Sequence, residues 1–172
     1  MGSDALWITP LVNLDGTMIG TPEDWSCMVD DDFIFSADGN YTYETNRSSR
    51  NDGYFGQPLG CWSDEKIANS LNGAAFGSCA THTFEFTPAT ANSRAMITLT
   101  NGPGFAAFIG FYKGYYGGEN SDGSNLPNGG YTTNRYEVIA YENSGDKEIL
   151  IVSVDISAAH DGSASWTMKL ER

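Results

Sequence analysis

Residues 31–45, DDFIFSADGNYTYET, alternate apolar and polar side chains on either side of a turn. Phe33 and Phe35 fall on one side of the first arm, and Tyr41 and Tyr43 on one side of the second. Successive side chains of a strand point to opposite faces, so this period of two around Ser-Ala-Asp-Gly-Asn predicts an antiparallel hairpin with one buried face. The same pattern recurs outward from it. His82, Phe84 and Phe86 alternate with polar residues, as do Ala95, Ile97 and Leu99, and 88–93 has turn composition. Leu150, Val152, Val154 and Ile156 line one face of 149–157, while Trp166, Met168 and Leu170 line one face of the last segment. AAHDGSA, 158–164, supplies the turn between these arms.

Two further strands are expected. AAFIGFY, 106–112, is apolar throughout and suits a strand buried on both faces, and 136–141 is rich in aromatic and β-branched residues. Only 63–71, SDEKIANSL, has helical character, with Ser63 or Asp64 as N-cap and Gly73 as a stop. Strands separated by Gly, Asn and Asp turns without a βαβ rhythm predict an all-β domain, an antiparallel β-sandwich of jelly-roll-like form. The alternative is a lipocalin-like flattened β-barrel. Residues 46–78, with Tyr54, Phe55 and Trp62, and the opening stretch escape the strand pattern. Loops this long in a small domain are functional or disordered, and their aromatic content argues against disorder.

The chain has 172 residues, a length suited to one domain, with 9 Lys and Arg against 22 Asp and Glu and a net charge of -13. That charge repels phosphate backbones and anionic membrane surfaces, so nucleic acid is excluded as a partner and a neutral ligand is expected. No apolar run is long enough to span a bilayer, which predicts no membrane insertion by this domain. MGSD, 1–4, reads as a cloning scar, and 5–172 as a single domain acting as a monomer within a larger multidomain protein. Cys27, Cys61 and Cys79 follow no CxxC metal pattern. Sequence leaves their pairing open; one arrangement is a Cys61–Cys79 bridge around an inserted loop, with Cys27 a buried thiol.

No nucleophile–base, GxSxG, HExxH or P-loop motif is present, and His82 and His160 lie in a strand and a turn. Asp30, Asp31 and Asp32 point to alternating faces if the strand begins there, a poor arrangement for a pair of carboxylates flanking a scissile bond. They are expected to be a solvated strand entry, and the domain to be non-catalytic, with no cofactor. Glu119, Asp122 and Asn125 are closely spaced oxygen donors around a flexible glycine and make a candidate structural calcium site, although the string departs from the EF-hand pattern.

Aromatic residues make up 13% of the chain, and many lie outside the alternating positions. Trp25, Trp62, Tyr112, Tyr115 and Tyr116 are embedded in Pro, Gly, Asp, Ser and Asn. A pyranose packs its axial hydrogens flat on an aromatic ring while its rim hydroxyls seek polar partners. Stiff, amphipathic Tyr and Trp side chains suit such an interface. These five residues are therefore candidate platform residues for a neutral polysaccharide or oligosaccharide, with Asp122, Asn125 and Arg135 as hydroxyl contacts.

DDDFIFSADGNYTYE (30–44), GFAAFIGFYKGYY (104–116), YEVIAYENSGDKEILIVSV (136–154) and SWTMKLER (165–172) resemble the all-β module that follows PKD-type domains in cell-surface polysaccharide-utilisation proteins of Bacteroidota. The resemblance spans nearly the whole chain, mostly through strand scaffold. It implies a carbohydrate-binding or surface glycan-binding module, often for β-glucans such as laminarin, displayed on the outer membrane by a lipoprotein. Two departures stand out. TMIGTPEDWSCMV (17–29) is shorter than the Gly-Pro-rich aromatic segment of relatives, and the connection 113–135 is longer. Both fall where a ligand would sit. The closing strands also resemble lipocalin-like domains of the same bacteria, which implies a barrel with an internal small-ligand pocket; a structural spacer beside a glycoside hydrolase is a third role.

Overall fold

The hairpin of 31–45 forms as expected. In a computed structural model that describes residues 26–51, 53, 55–70, 73–78, 80–110, 132–157 and 161–172, strand β1 (Asp32–Phe35) pairs antiparallel with β2 (Asn40–Glu44), and Phe33 stands opposite Tyr43. A short 3-10 helix, η1 (Ser26–Met28), precedes them. Strands β3 (Ser48–Asn51) and β4 (Gly60–Ser63), helix α1 (Asp64–Ala68) and a second 3-10 helix, η2 (Gly73–Phe76), follow. The chain then runs through β5 (His82–Thr87), β6 (Ala95–Thr100), β7 (Thr133–Asn143), β8 (Glu148–Asp155) and β9 (Ser165–Glu171).

The protein is all-β and antiparallel. Among the described residues seven strands form one sheet in the order β1-β2-β5-β6-β7-β8-β9, and β3 and β4 form a small second sheet. The large sheet is a meander interrupted once, between β2 and β5, by the excursion that carries the small sheet and both short helices. One face of it carries the alternating apolar set read from the sequence. Ile97 stands opposite Phe86 and Tyr136, and Val152 opposite Val138 and Met168. The other face carries Thr83, Glu85, Thr98, Arg135 and Lys169. A one-residue bulge at Ile139 lets Tyr141 keep facing the apolar side, opposite Leu150.

What covers that apolar face differs from expectation. Ala106, Ala107, Phe108 and Ile109 are buried, but they form no strand; Phe111 and Tyr112 lie outside the described residues. The segment crosses the sheet as irregular chain, and side chains satisfy its backbone. The Tyr41 hydroxyl donates to the Phe108 carbonyl, Asn101 Oδ1 accepts from the Ala107 N–H at 2.9 Å, and the Tyr136 hydroxyl accepts from the Ile109 N–H at 2.9 Å. Burying backbone polar groups without partners would cost about 1–3 kcal/mol each, so these side chains are what permits a non-strand filler. Apolar content announced burial; it carried no information about pairing.

Phe108 sits at the centre of the core, 4.4 Å from the Tyr43 ring and 6.0 Å from Phe76, with Phe33 edge-on at 6.5 Å. Gly110, the last described residue of this segment, has φ +66, and a Cβ there would lie 2.4 Å from Met168 Sδ, so a side chain at this position would have to displace the Met168 thioether as well as adopt a strained backbone. Met28, Phe55, Trp62, Ile67 and Phe76 extend the same core under the excursion.

The excursion is held by polar groups. Asn51 is fully buried and accepts from the N–H groups of Gly53 (3.0 Å) and Phe55 (3.1 Å), while its amide donates to the carbonyls of Gly56 (2.7 Å) and Pro58 (3.0 Å). Ser63 caps α1, as expected, by accepting from the Lys66 N–H. The helix ends at Ala68, and Gly73 opens η2 rather than stopping α1.

Cysteine pairing corrects the arrangement entertained from the sequence. Cys27 and Cys61 form the disulfide, with Cα atoms 5.8 Å apart, because η1 packs beside β3, the partner strand of β4; Cys79 lies outside the described residues. The expected solvated strand entry also differs, since Asp31 is buried, with Asp30 exposed and Asp32 half-buried.

Candidate functional site

The platform residues predicted from the sequence fall into two groups. Trp25, Tyr112, Tyr115, Tyr116, Asp122 and Asn125 lie outside the described residues, as does Glu119 of the candidate calcium string. Among the described residues no three His, Cys, Asp or Glu side chains are placed together to hold a metal. Trp62 and Arg135 are described, and the structure does not bring them together.

Trp62 is 6% exposed. Its indole N–H donates to the Pro58 carbonyl at 2.9 Å, its ring packs 6.1 Å from Phe55, and Lys66 Nζ sits 3.6 Å from the centroid. A ring with a cation on its face and core behind it offers no open stacking surface, so Trp62 belongs to the scaffold. Its polar sequence neighbours suggested exposure; the apolar partners come from Phe55 and the core cluster. Arg135 is exposed on the outer face of β7, where Thr98 stands opposite it.

Among the described residues, the apolar face of the large sheet keeps two exposed rings. Phe86 is 53% exposed and Tyr141 55% exposed, although both stand in register with buried residues, Ile97 and Leu150. They mark the open end of the face, with half-buried Val138 between them. From strand spacing and rise the two rings lie on the order of 15 Å apart, far enough to meet separate units of an extended ligand. Polar groups surround Tyr141. Its hydroxyl donates to Glu148 Oε1 at 2.6 Å and accepts from the Asn143 amide at 3.4 Å, and Arg172 pairs with Glu148 Oε2 at 2.9 Å.

The sequence pattern places Phe86 and Tyr141 in strands, as ordinary sheet residues. Knowing that they lie beyond the reach of residues 106–109 requires the β5–β6–β7–β8 register, which the alternation alone does not contain. The signal available was local. Tyr141 is followed by Glu142, Asn143 and Ser144, where the apolar strand gives way to a polar turn.

A separate concavity of about 370 Å³ lies between α1, η2 and the start of the filler, lined by Asp64, Ile67, Phe76, Ser78 and Phe105 among others. Asp64 is anchored, since its Oδ1 accepts from the Thr45 hydroxyl at 2.7 Å and its backbone N–H donates to the Arg47 carbonyl at 2.9 Å. Phe105 is set by a turn in which its N–H donates to the Gly102 carbonyl at 3.0 Å. His82 holds that turn, its Nδ1 accepting from the Gly102 N–H at 2.9 Å. Nδ1 therefore carries no proton, and burial pushes the His82 pKa below 6.5, so the ring is neutral at pH 7. Burial first, and then neighbouring Tyr136, Tyr43 and Asp31, hold the Tyr41 hydroxyl well above the usual tyrosine range. Tyr41 and His82 thus act as neutral hydrogen-bonding groups.

No helix among the described residues is long and apolar enough to cross a membrane. No protein-family model, curated protein or solved structure matches the chain.

Proposed function

We propose that this domain is a non-catalytic binding module for a neutral polysaccharide or oligosaccharide, with a β-glucan as the first candidate. One observation carries the reading: Tyr141 holds a ring more than half exposed on a strand, with Glu148, Asn143 and Arg172 around its hydroxyl. A stiff apolar face beside polar groups that exchange hydrogen bonds matches a sugar ring, which has a dry face and a wet rim. Phe86 adds a second exposed ring on the same sheet face.

The lipocalin-like alternative draws less support, because the chain's own residues 106–109 pack on the sheet's apolar face, held by Tyr41 and Tyr136, where an internal ligand would lie. The net charge of -13 favours an uncharged ligand over a sulfated or uronic-acid polymer. A disulfide between Cys27 and Cys61 is in keeping with an oxidising setting, as at a cell surface, where the parent protein would be anchored in the outer membrane.

Affinity electrophoresis against β-glucans, mannans, xylans and α-glucans tests the proposal. Retardation by at least one neutral polymer, lost on addition of its soluble oligosaccharide, is the expected result. Free migration in every gel overturns it.

A further inference from the structure

Beyond the exposed strand aromatics, the molecule has a second feature that a saccharide fits, and the inference drawn from it rests on the glycan-binding reading above. We propose that the concavity between α1, η2 and Phe105 is a distinct subsite that receives the terminal ring of a neutral glycan, whereas the Phe86 and Tyr141 surface contacts internal units.

Size comes first. About 370 Å³ is near the lower end of the roughly 300–1,000 Å³ of ligand sites. It admits one saccharide ring with part of the next. Its walls have two characters. Most of the lining is apolar, from Ile67, Phe76 and Phe105, with a smaller polar share from Asp64 and Ser78, so the dry face of a ring packs on the wall while a few of its hydroxyls meet polar groups. An anionic ligand would face Asp64 within a strongly acidic protein, and the pocket contributes no cation to offset it.

The walls are also built rather than incidental. At Gly73 an added Cβ would lie 1.6 Å from the Ile67 carbonyl oxygen and 2.3 Å from Ser70 Oγ, so η2 abuts the end of α1 backbone to backbone. On the opposite side the Gly102 turn, held by His82, fixes Phe105. Asp64 is tied to Thr45 and Arg47. Three independent anchors therefore hold a concave shape that needs no rearrangement to accept a ring. The chain ends of a polymer are few while its internal units are many, so a terminal-ring subsite makes short oligosaccharides relatively better ligands than their polymer mass suggests.

Ala68 lines the mouth and is exposed, so Ala68→Trp fills the concavity with little disturbance to the core. The experiment titrates wild type, Ala68→Trp and Phe105→Ala with the di- to pentasaccharides of whichever polymer retards the protein, by calorimetry, and repeats the polymer gels. The expected result is at least tenfold weaker binding of the short oligosaccharides by Ala68→Trp, retardation by long polymer within about twofold of wild type, and a loss in Phe105→Ala of the same sign. Equal oligosaccharide affinity in wild type and Ala68→Trp, with glycan binding intact, overturns the subsite alone. Absence of glycan binding by any of the proteins overturns both the subsite and the reading beneath it. Thermal melting of each variant within a few degrees of wild type confirms that folded proteins are compared.

Discussion

Replacing Tyr136 by Phe removes one oxygen atom from the middle of the sheet, and the structure assigns that atom two duties. It accepts from the Ile109 N–H at 2.9 Å and from the Asn134 amide at 2.8 Å, all within buried surroundings. Phe fills nearly the same volume, so no cavity term enters. What remains is two buried donors without acceptors, at about 1–3 kcal/mol each, reduced by whatever rotation Asn134 can make. The expected loss is roughly 2–4 kcal/mol, or about 5–15 °C in melting temperature for a chain of this size. Urea unfolding followed by tryptophan fluorescence measures it. Adding Asn134→Leu to Tyr136→Phe removes one of the stranded donors and should recover part of the loss. Tyr141→Phe is the control, since its hydroxyl bonds Glu148 at the exposed surface, and its change should stay within about 0.5 kcal/mol. A loss below about 0.5 kcal/mol for Tyr136→Phe would refute the argument that sheet tyrosines satisfy an irregular, buried filler.

Two further outcomes follow from the same structure. Cys27→Ala opens a cross-link between residues 34 apart in sequence, and the chain-entropy estimate for a loop of that length is about 4 kcal/mol; coincident urea midpoints for variant and wild type would contradict it. His82 has a folded-state pKa below 6.5, so from pH 6.5 downward the unfolded chain binds a proton that the folded chain refuses. Its contribution is whole above pH 6.5 and is lost as pH falls toward the folded value, with a slope of at most about 1.4 kcal/mol per pH unit. Comparing wild type with His82→Gln between pH 7.5 and 5 isolates this, and identical pH dependence in the two would contradict it.

The parts of the fold legible in the sequence are those where one local period reports one buried face. Phe33 and Phe35, Tyr41 and Tyr43, and Leu150 to Val154 each alternate about a sheet with one covered side, and all form the strands expected. Residues 106–109 were legible as buried but not as irregular, because the acceptors and donors that replace strand pairing come from Tyr41, Asn101 and Tyr136, distant in sequence. Ser48 to Asn51 form a largely buried strand with no apolar residue, and nothing in their hydropathy announces it. The site was less legible than the fold. Trp62 has polar neighbours along the chain and apolar ones in space, and the exposure of Phe86 and Tyr141 depends on strand register rather than on any local pattern.

The central claim is that exposed strand aromatics bind a neutral glycan, and the most direct measurement compares wild type with Phe86→Ala/Tyr141→Ala on the polymer that retards wild type best. Truncating two stacking rings removes about 2 kcal/mol or more, so the double variant, folded and melting near wild type, should bind at least tenfold more weakly. Equal retardation of the two proteins would contradict the claim.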